Sequence, residues 1–463
     1  MASFPSLGLC LLALFHGCLA QEVTSDFSII PEWIWPSHPQ RSPQRISSPC
    51  QFQKIQALPP SLRIESEAGT TDIWQPKASQ QFRCAGVAVI RHVIRRRGLL
   101  LPGFLNAPAL AFVTQGRGIK GTVLSGCPET FETSRQSQFQ RQQQRDRHQK
   151  VEQVNQGELL AFPTGTTHWI YNNGRSNLIV VAFVDIGNRA NQLDFNLRKF
   201  FLAGSPRLEN YENILNGFST QILQQSFNIR TDLARRLQSG RNETRGAIVY
   251  AREGLALLAP RQQGQRGGRD NGLEETICTL RLTHRIAGPA VSDIYNPRAG
   301  HISTVNDVDF PILNLMGLSA ARGVLYPNAI LAPQWTQNAH RIIYISRGNV
   351  HIEIVGSSGQ NIFNDWVQQG QIVIVPQNFA VVKRAGNNGA DWVSFRTNSN
   401  AITHMLAGRN SVINSLPAQL LKVAYGISNE QARRLKTSRR EMTLFSPSQQ
   451  GRRQYNEDED EEE

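Results

Sequence analysis

The sequence predicts a mainly β chain: two antiparallel β-barrels, each followed by a helical extension. Three observations predict it. At 463 residues the chain is too long for one core, so two domains are expected. Its apolar residues fall in short runs between Gly, Pro and Asn/Gly turns, with no helix alternating between them, which argues against a parallel α/β sheet. Finally, the chain repeats itself. "LNGFSTQILQQSFNIRTDLARRLQ" from Leu215 and "INSLPAQLLKVAYGISNEQARRLK" from Ile413 align without a gap over 24 positions, eight of them identical. A repeat of this kind marks two copies of one structural unit.

In chain order, the first segment to justify is 1–20. "LGLCLLALF" (Leu7 to Phe15) is apolar but too short to span a bilayer, and "CLA" before Gln21 offers the small residues of a signal-peptidase site. We expect cleavage between Ala20 and Gln21. Nothing later is long and apolar enough for a membrane span, so no membrane partner is expected. Removing the signal leaves four cysteines, Cys50, Cys84, Cys127 and Cys278. In an oxidising compartment these suggest two disulfides, with three pairings open.

"ALAFVTQGRGIKGTVL" (Ala109 to Leu124) reads as a hairpin turning at its Gly/Arg pair, matched in the second half by "RIIYISRGNVHIEIV" (Arg341 to Val355). Residues 127–150, rich in Gln and Arg, read as an inserted surface loop. "QGELLAFPTGTTHWIYNNGRSNLIVVAFV" (Gln156 to Val184) and "QGQIVIVPQNFAVVKRAGNNGADWVSF" (Gln369 to Phe395) each give an apolar run, a proline, a second run, an Asn/Gly turn and a third run. The repeated segments at Leu215 and Ile413 read as paired helices, with apolar residues three and four apart. Asn242-Glu243-Thr244 is a glycosylation sequon. A second soft stretch, about 260–271, ends in Asn271-Gly272. A flexible, glycine-rich loop tip is where a protease cuts with least damage. The final seven residues, Glu457 to Glu463, are all acidic and read as a solvated tail.

Charge excludes less than it first suggests. The net charge of +13 invites a nucleic-acid reading. Residues 272–463 carry 18 Lys+Arg against 17 Asp+Glu, so the excess lies in the first part, scattered through loops such as Arg135 to Lys150. No basic face interleaved with aromatics emerges, and no nucleic-acid partner is expected. Of the 49 cations, 41 are Arg, which with abundant Gln and Asn makes the side chains nitrogen-rich.

"GCPETFE" (Gly126 to Glu132), "NGLEETICTLRL" (Asn271 to Leu282), "YNPRAGHISTVND" (Tyr295 to Asp307) and "FPILNLMGLSA" (Phe310 to Ala320) closely resemble the legumin-type (11S) seed storage globulins, a bicupin family. The likeness runs from about Cys50 to about Pro447. It implies two cupin (jelly-roll) barrels and a nutrient-reservoir role. It also implies cleavage after Asn271, before Gly272, by an asparaginyl endopeptidase. The disulfides it implies are Cys127–Cys278 between the resulting chains and Cys50–Cys84 within the first. Domains follow as 21–271, with a core at about 50–250, and 272–463, with a core at about 278–447. The resemblance further implies a homotrimer before cleavage and a hexamer after it, homomeric or mixed with paralogous subunits, in the protein storage vacuole (protein body) of seed, reached through the secretory pathway. The chain departs from the family in one respect: its N-terminal part is the basic one, where relatives usually have an acidic N-terminal fragment.

Many cupins are metal enzymes, and that alternative has a specific residue behind it. "GELLAFPTGTTHWIYN" (Gly157 to Asn172) fits the cupin pattern G-x5-P-x-G-x2-H-x3-N, placing His168 at a metal-ligand position. A catalytic metal needs about three converging ligands. The expected HxH and Glu are absent from "LLLPGFLNAPALAF" (Leu99 to Phe112), and in the second half Val381 stands at the His position. His340 and His351 have no ligand spacing. There is no GxSxG, P-loop or HExxH, and every mature cysteine has a disulfide role. We therefore expect no enzyme activity, cofactor or metal, and read His168 as structural.

Overall fold

The computed structural model describes residues 50, 52–124, 127, 130–131, 147–148, 150–204, 213–239, 246–255, 278–286, 288–289 and 292–447. The signal site at Ala20 and Gln21, the sequon at Asn242, the Asn271-Gly272 pair and the acidic tail lie outside the described residues.

The first barrel is two facing antiparallel sheets. One runs Leu62–Ser66, Gly69–Trp74, Val87–Ile94, Leu178–Asp185, Ala109–Gln115, Glu158–Phe162 and Thr283–Arg285 in spatial order. Its central strands, "VAVIRHVI" and "LIVVAFVD", are apolar on both faces because both are covered. The other sheet runs Lys199–Phe201, Gly98–Leu105, Thr167–Tyr171, Arg117–Val123 and Lys150–Asn155, with Ile248–Tyr250 beside Gly98–Leu105. The second barrel is a single ten-stranded sheet folded on itself. Its long strands, Arg341–Val355 and Ala380–Arg396, pass through both layers. Each barrel encloses an apolar core. A third core lies between them, where Trp74, Phe183, Phe310 and Phe395 meet and Phe183 stacks on Phe395 at 5.6 Å.

The two segments read as hairpins are corners instead. Ala109–Gln115 pairs with Leu178–Asp185 and Glu158–Phe162, while Arg117–Val123 pairs with Thr167–Tyr171 and Lys150–Asn155. The chain turns from one sheet into the other at Gly116, whose φ is 85°. In the second half Arg341–Val355 is one strand bent at Gly348, φ 72°, with its register shifting on both sides. A type I′ hairpin needs positive φ at both central residues. Here only the glycine has it, so the chain bends rather than reverses. The Asn/Gly turn expected near Asn388 is likewise a bend inside Ala380–Arg396, at Gly389.

The repeated segments are the expected helix pairs, Thr220–Phe227 with Thr231–Ser239 and Ala418–Tyr425 with Asn429–Thr437. Ser219 caps the first by accepting the Ile222 N–H, and Ser428 with Gln431 forms a capping box on the last. Each helix buries a single residue against its own subunit: Leu223, Ala234, Leu421 and Ala432. Two short helices, Gln80–Ala85 and Ile312–Met316, and the strand pair Leu62–Trp74 add to the repeat-based reading.

Candidate functional site

Two regions carry the residues singled out in the sequence: the joint between the two halves, and the barrel interiors.

At the joint the four mature cysteines form two bonds, Cys50–Cys84 with Cα atoms 5.5 Å apart and Cys127–Cys278 with Cα atoms 5.3 Å apart. The second spans 151 residues of sequence. The segment after Cys278 is built into the first barrel. Thr283–Arg285 pairs antiparallel with Glu158–Leu160, and the Ala161 N–H donates to the Leu282 carbonyl at 2.9 Å. Two lysines of the first barrel reach the same stretch. Lys120 Nζ donates to the Leu282 carbonyl at 3.1 Å and pairs with Glu152 at 3.0 Å, and Lys150 Nζ donates to the Leu280 carbonyl. The Thr283 hydroxyl donates to Glu152 at 2.9 Å.

The exchange runs the other way as well. Ile55 N–H donates to the Ile362 carbonyl and Leu58 bridges to Ile372, so the segment after Cys50 lines the second barrel, with Ile55 buried in its core. Across the expected division at residue 271, the segment after Cys278 adds a strand to the first barrel and the segment after Cys50 adds an isolated bridge to the second. A sequence repeat detects units but not exchanged edges, which is why this was invisible in the residues alone.

Inside the first barrel His168 faces a half-open chamber whose walls are mainly apolar, among them Leu100, Phe104, Phe162 and Phe201. The ring packs on Phe162 at 4.2 Å between centroids. Its Nδ1 donates to the Thr166 carbonyl at 3.2 Å, which leaves Nε2 as the free nitrogen. Two bases unmarked by the sequence pattern line the same chamber: His92, whose Nδ1 lies 2.9 Å from the Thr71 hydroxyl, and Lys199. These three side chains face the chamber and retain some accessible surface, but are otherwise packed in protein. That enclosure drives their proton affinities down. His168 falls to about 4, chiefly from burial and then from the charges of Lys120 and Lys199. His92 is pushed well below the ordinary imidazole value by burial and by Lys199 and His168. Lys199 falls to about 7 through burial alone. Strand geometry puts His92 on the inner face with Ile90 and Ile94, but no motif marks it. Lys199 sits on a three-residue strand with no pattern to read.

In the second barrel Val381 is buried at the position equivalent to His168. The interior here carries Arg341 and Lys383, at 3% and 1% exposure, with Arg396 beside them. Arg341 donates to the Thr336 hydroxyl at 2.9 Å, and the Lys383 ammonium lies 5.6 Å from the Trp392 ring centre. Burial and mutual repulsion lower Lys383 strongly and Arg341 to about 9. His340 and His351 do not converge. His340 Nδ1 accepts the Gln377 N–H, and His351 packs edge-on against Trp366.

Neither interior suits a divalent metal. Among the described residues no three His, Cys, Asp or Glu side chains come together, and both interiors present cationic groups, which repel a metal ion and favour an anion.

The chain and its fold match known proteins over most of the chain. A family model described as cupin matches residues 55–207 and 285–433. "11S globulin seed storage protein 1" of Carya illinoinensis is 43% identical over 95% of this chain and 95% of its own length. "Legumin A" of Gossypium hirsutum is 40% identical, covering 98% of this chain and 99% of its own. Among solved structures, the 11S globulin from Wrightia tinctoria, described as revealing an auxin binding site, has a TM-score of 0.80 at 39% identity, covering 88% of this chain and 98% of that one. Two barrels with exchanged edges, a repeated helix pair and this breadth of similarity place the chain together: it belongs to the legumin-type, or 11S, globulins, the two-barrel seed storage members of the cupin family.

Proposed function

We propose that this protein is a nitrogen-rich nutrient reservoir of seed. It enters the secretory pathway through cleavage after Ala20 and accumulates in the protein storage vacuole. An asparaginyl endopeptidase cuts it after Asn271 into two disulfide-linked chains. The observation that carries this reading is the joint. Between the described residues Leu255 and Cys278 lies a Gly/Gln/Arg-rich stretch, and both of its ends are fastened to the first barrel. A cut there leaves the disulfide, a strand pairing and two lysine contacts in place.

Assembly into trimers, and after the cut into hexamers, homomeric or with paralogous subunits, follows from the helix pairs. Their outer faces show Phe218, Ile222 and Phe227 on one pair and Leu420, Val423 and Tyr425 on the other, with Val423 at 81% exposure. Side chains of this size in neighbouring positions mark a surface that a partner covers. Treating the purified proprotein with asparaginyl endopeptidase tests the sequence of events. Sedimentation should pass from trimer to hexamer as one chain becomes two. A cut protein that stays trimeric would contradict the order of assembly.

A second reading stands beside storage, the binding of a small organic acid. It is favoured by the apolar chamber with its three bases and by the auxin site attributed to the Wrightia tinctoria relative.

A further inference from the structure

Resting on that second reading, we propose that the first-barrel chamber is a binding site for a small monocarboxylic acid with an apolar, single-ring body. Its carboxylate would meet Lys199 and His168.

The walls set the class. Phe104, Phe162 and Phe201 with Leu100 offer an aromatic and aliphatic lining, which a sugar or inorganic phosphate would fill only by shedding strongly bound water without replacement. The polar groups set the charge. The chamber lining holds His92, His168 and Lys199 and no acid. Among the described residues Lys199 has no ion-pair or hydrogen-bond partner, whereas the neighbouring Lys120 is already engaged by Glu152 and Leu282. An enclosed ammonium without a counter-charge is costly, and a carboxylate beside it supplies both the charge and the acceptor. His168 completes the end wall. Its Nδ1–H is held by Thr166, so Nε2 is the atom that takes the acid's proton or, once protonated, donates to a carboxylate oxygen. The lowered proton affinities of Lys199 and His168 describe the same uncompensated pair. One charged end and an apolar remainder together specify an amphipathic monoanion.

Calorimetry on the full chain with phenylacetate, against its neutral isostere phenylacetamide, tests the charge requirement. Soaking crystals with 4-bromophenylacetate and locating bromine by anomalous scattering tests the place. We expect one phenylacetate per subunit, binding at least about tenfold tighter than the amide, and a bromine between Phe104 and Phe201. Lys199→Met should abolish the preference for acid over amide. Absence of phenylacetate binding would overturn both the second reading and this inference. Binding with bromine outside the barrel would overturn the inference alone, and so would equal affinity for acid and amide. The bromine position needs no variant, so it decides the matter even if Lys199→Met fails to fold.

Discussion

The ammonium of Lys120, fully buried in the first barrel, donates to the carbonyl of Leu282, a residue 162 positions later and on the far side of the expected cut. The same nitrogen pairs with Glu152. A buried charge of this kind is stable only while its partners stay in place. Burial lowers the proton affinity of Lys120, and the Glu152 charge opposes that shift. Lys120→Met should therefore cost about 3 kcal/mol in chemical denaturation, since it takes the counter-charge from Glu152 and one of two donors from the Leu282 carbonyl. A loss under about 0.5 kcal/mol would show that this contact does not hold the halves.

Because the joint combines a disulfide with a strand pairing, the two should be separable. Cys278→Ser, once cut, should still elute as one particle under native conditions and fall into two chains in denaturant without reductant. In the uncut chain the same change should lower stability by about 2–4 kcal/mol. Native dissociation of the cut variant would mean that the strand Thr283–Arg285 contributes little.

Acid should destabilise the first barrel through its imidazoles. His168 titrates at about 4 in the fold and near 6.5 unfolded. The unfolded chain thus binds a proton that the folded chain refuses, and stability falls as pH drops from about 6.5 to about 4. The size is at most about 3 kcal/mol, from 1.36 kcal/mol per pH unit, and His92 adds in the same direction. Lys199, depressed to about 7, behaves likewise at higher pH. Its cost is fully present below about 7 and is relieved as pH climbs toward 10.5. Comparing urea midpoints at pH 7 and pH 4.5 for His168→Leu and wild type should show a shallower loss in the variant. Equal slopes would remove His168 from the acid response.

The helix faces give an assembly test. Val423→Asp with Leu420→Glu should yield monomers by sedimentation while thermal unfolding stays within about 1 kcal/mol of wild type, because neither side chain is buried in its own subunit. A trimer in the double variant would place the interface elsewhere.

Much of the fold was legible because a repeat states it twice. The helix pairs at Leu215 and Ile413 carry their apolar spacing in plain sequence. The corners at Gly116 and Gly348 were not legible as corners. A glycine beside an arginine reads as a turn, and only the partners of the flanking strands decide between reversal and bend. Gly116 is fixed by space as well as by φ, since a Cβ there would come within 2.4 Å of the Asn177 carbonyl oxygen. Gly116→Val should cost about 2–4 kcal/mol in thermal unfolding. Of the chamber, His168 was legible through its pattern and was read as structural. His92 and Lys199 were not, because nothing local says that an isolated base on a strand faces inward toward two others.

The joint is the central feature of the molecule, and a denaturing gel of the purified mature protein with and without reductant tests it most directly, with N-terminal sequencing of the smaller band. We predict one band unreduced and two reduced, the smaller beginning GLEETICTL. A single intact band under both conditions, or two bands without reductant, would contradict a chain cut after Asn271 and held across the cut by Cys127 and Cys278.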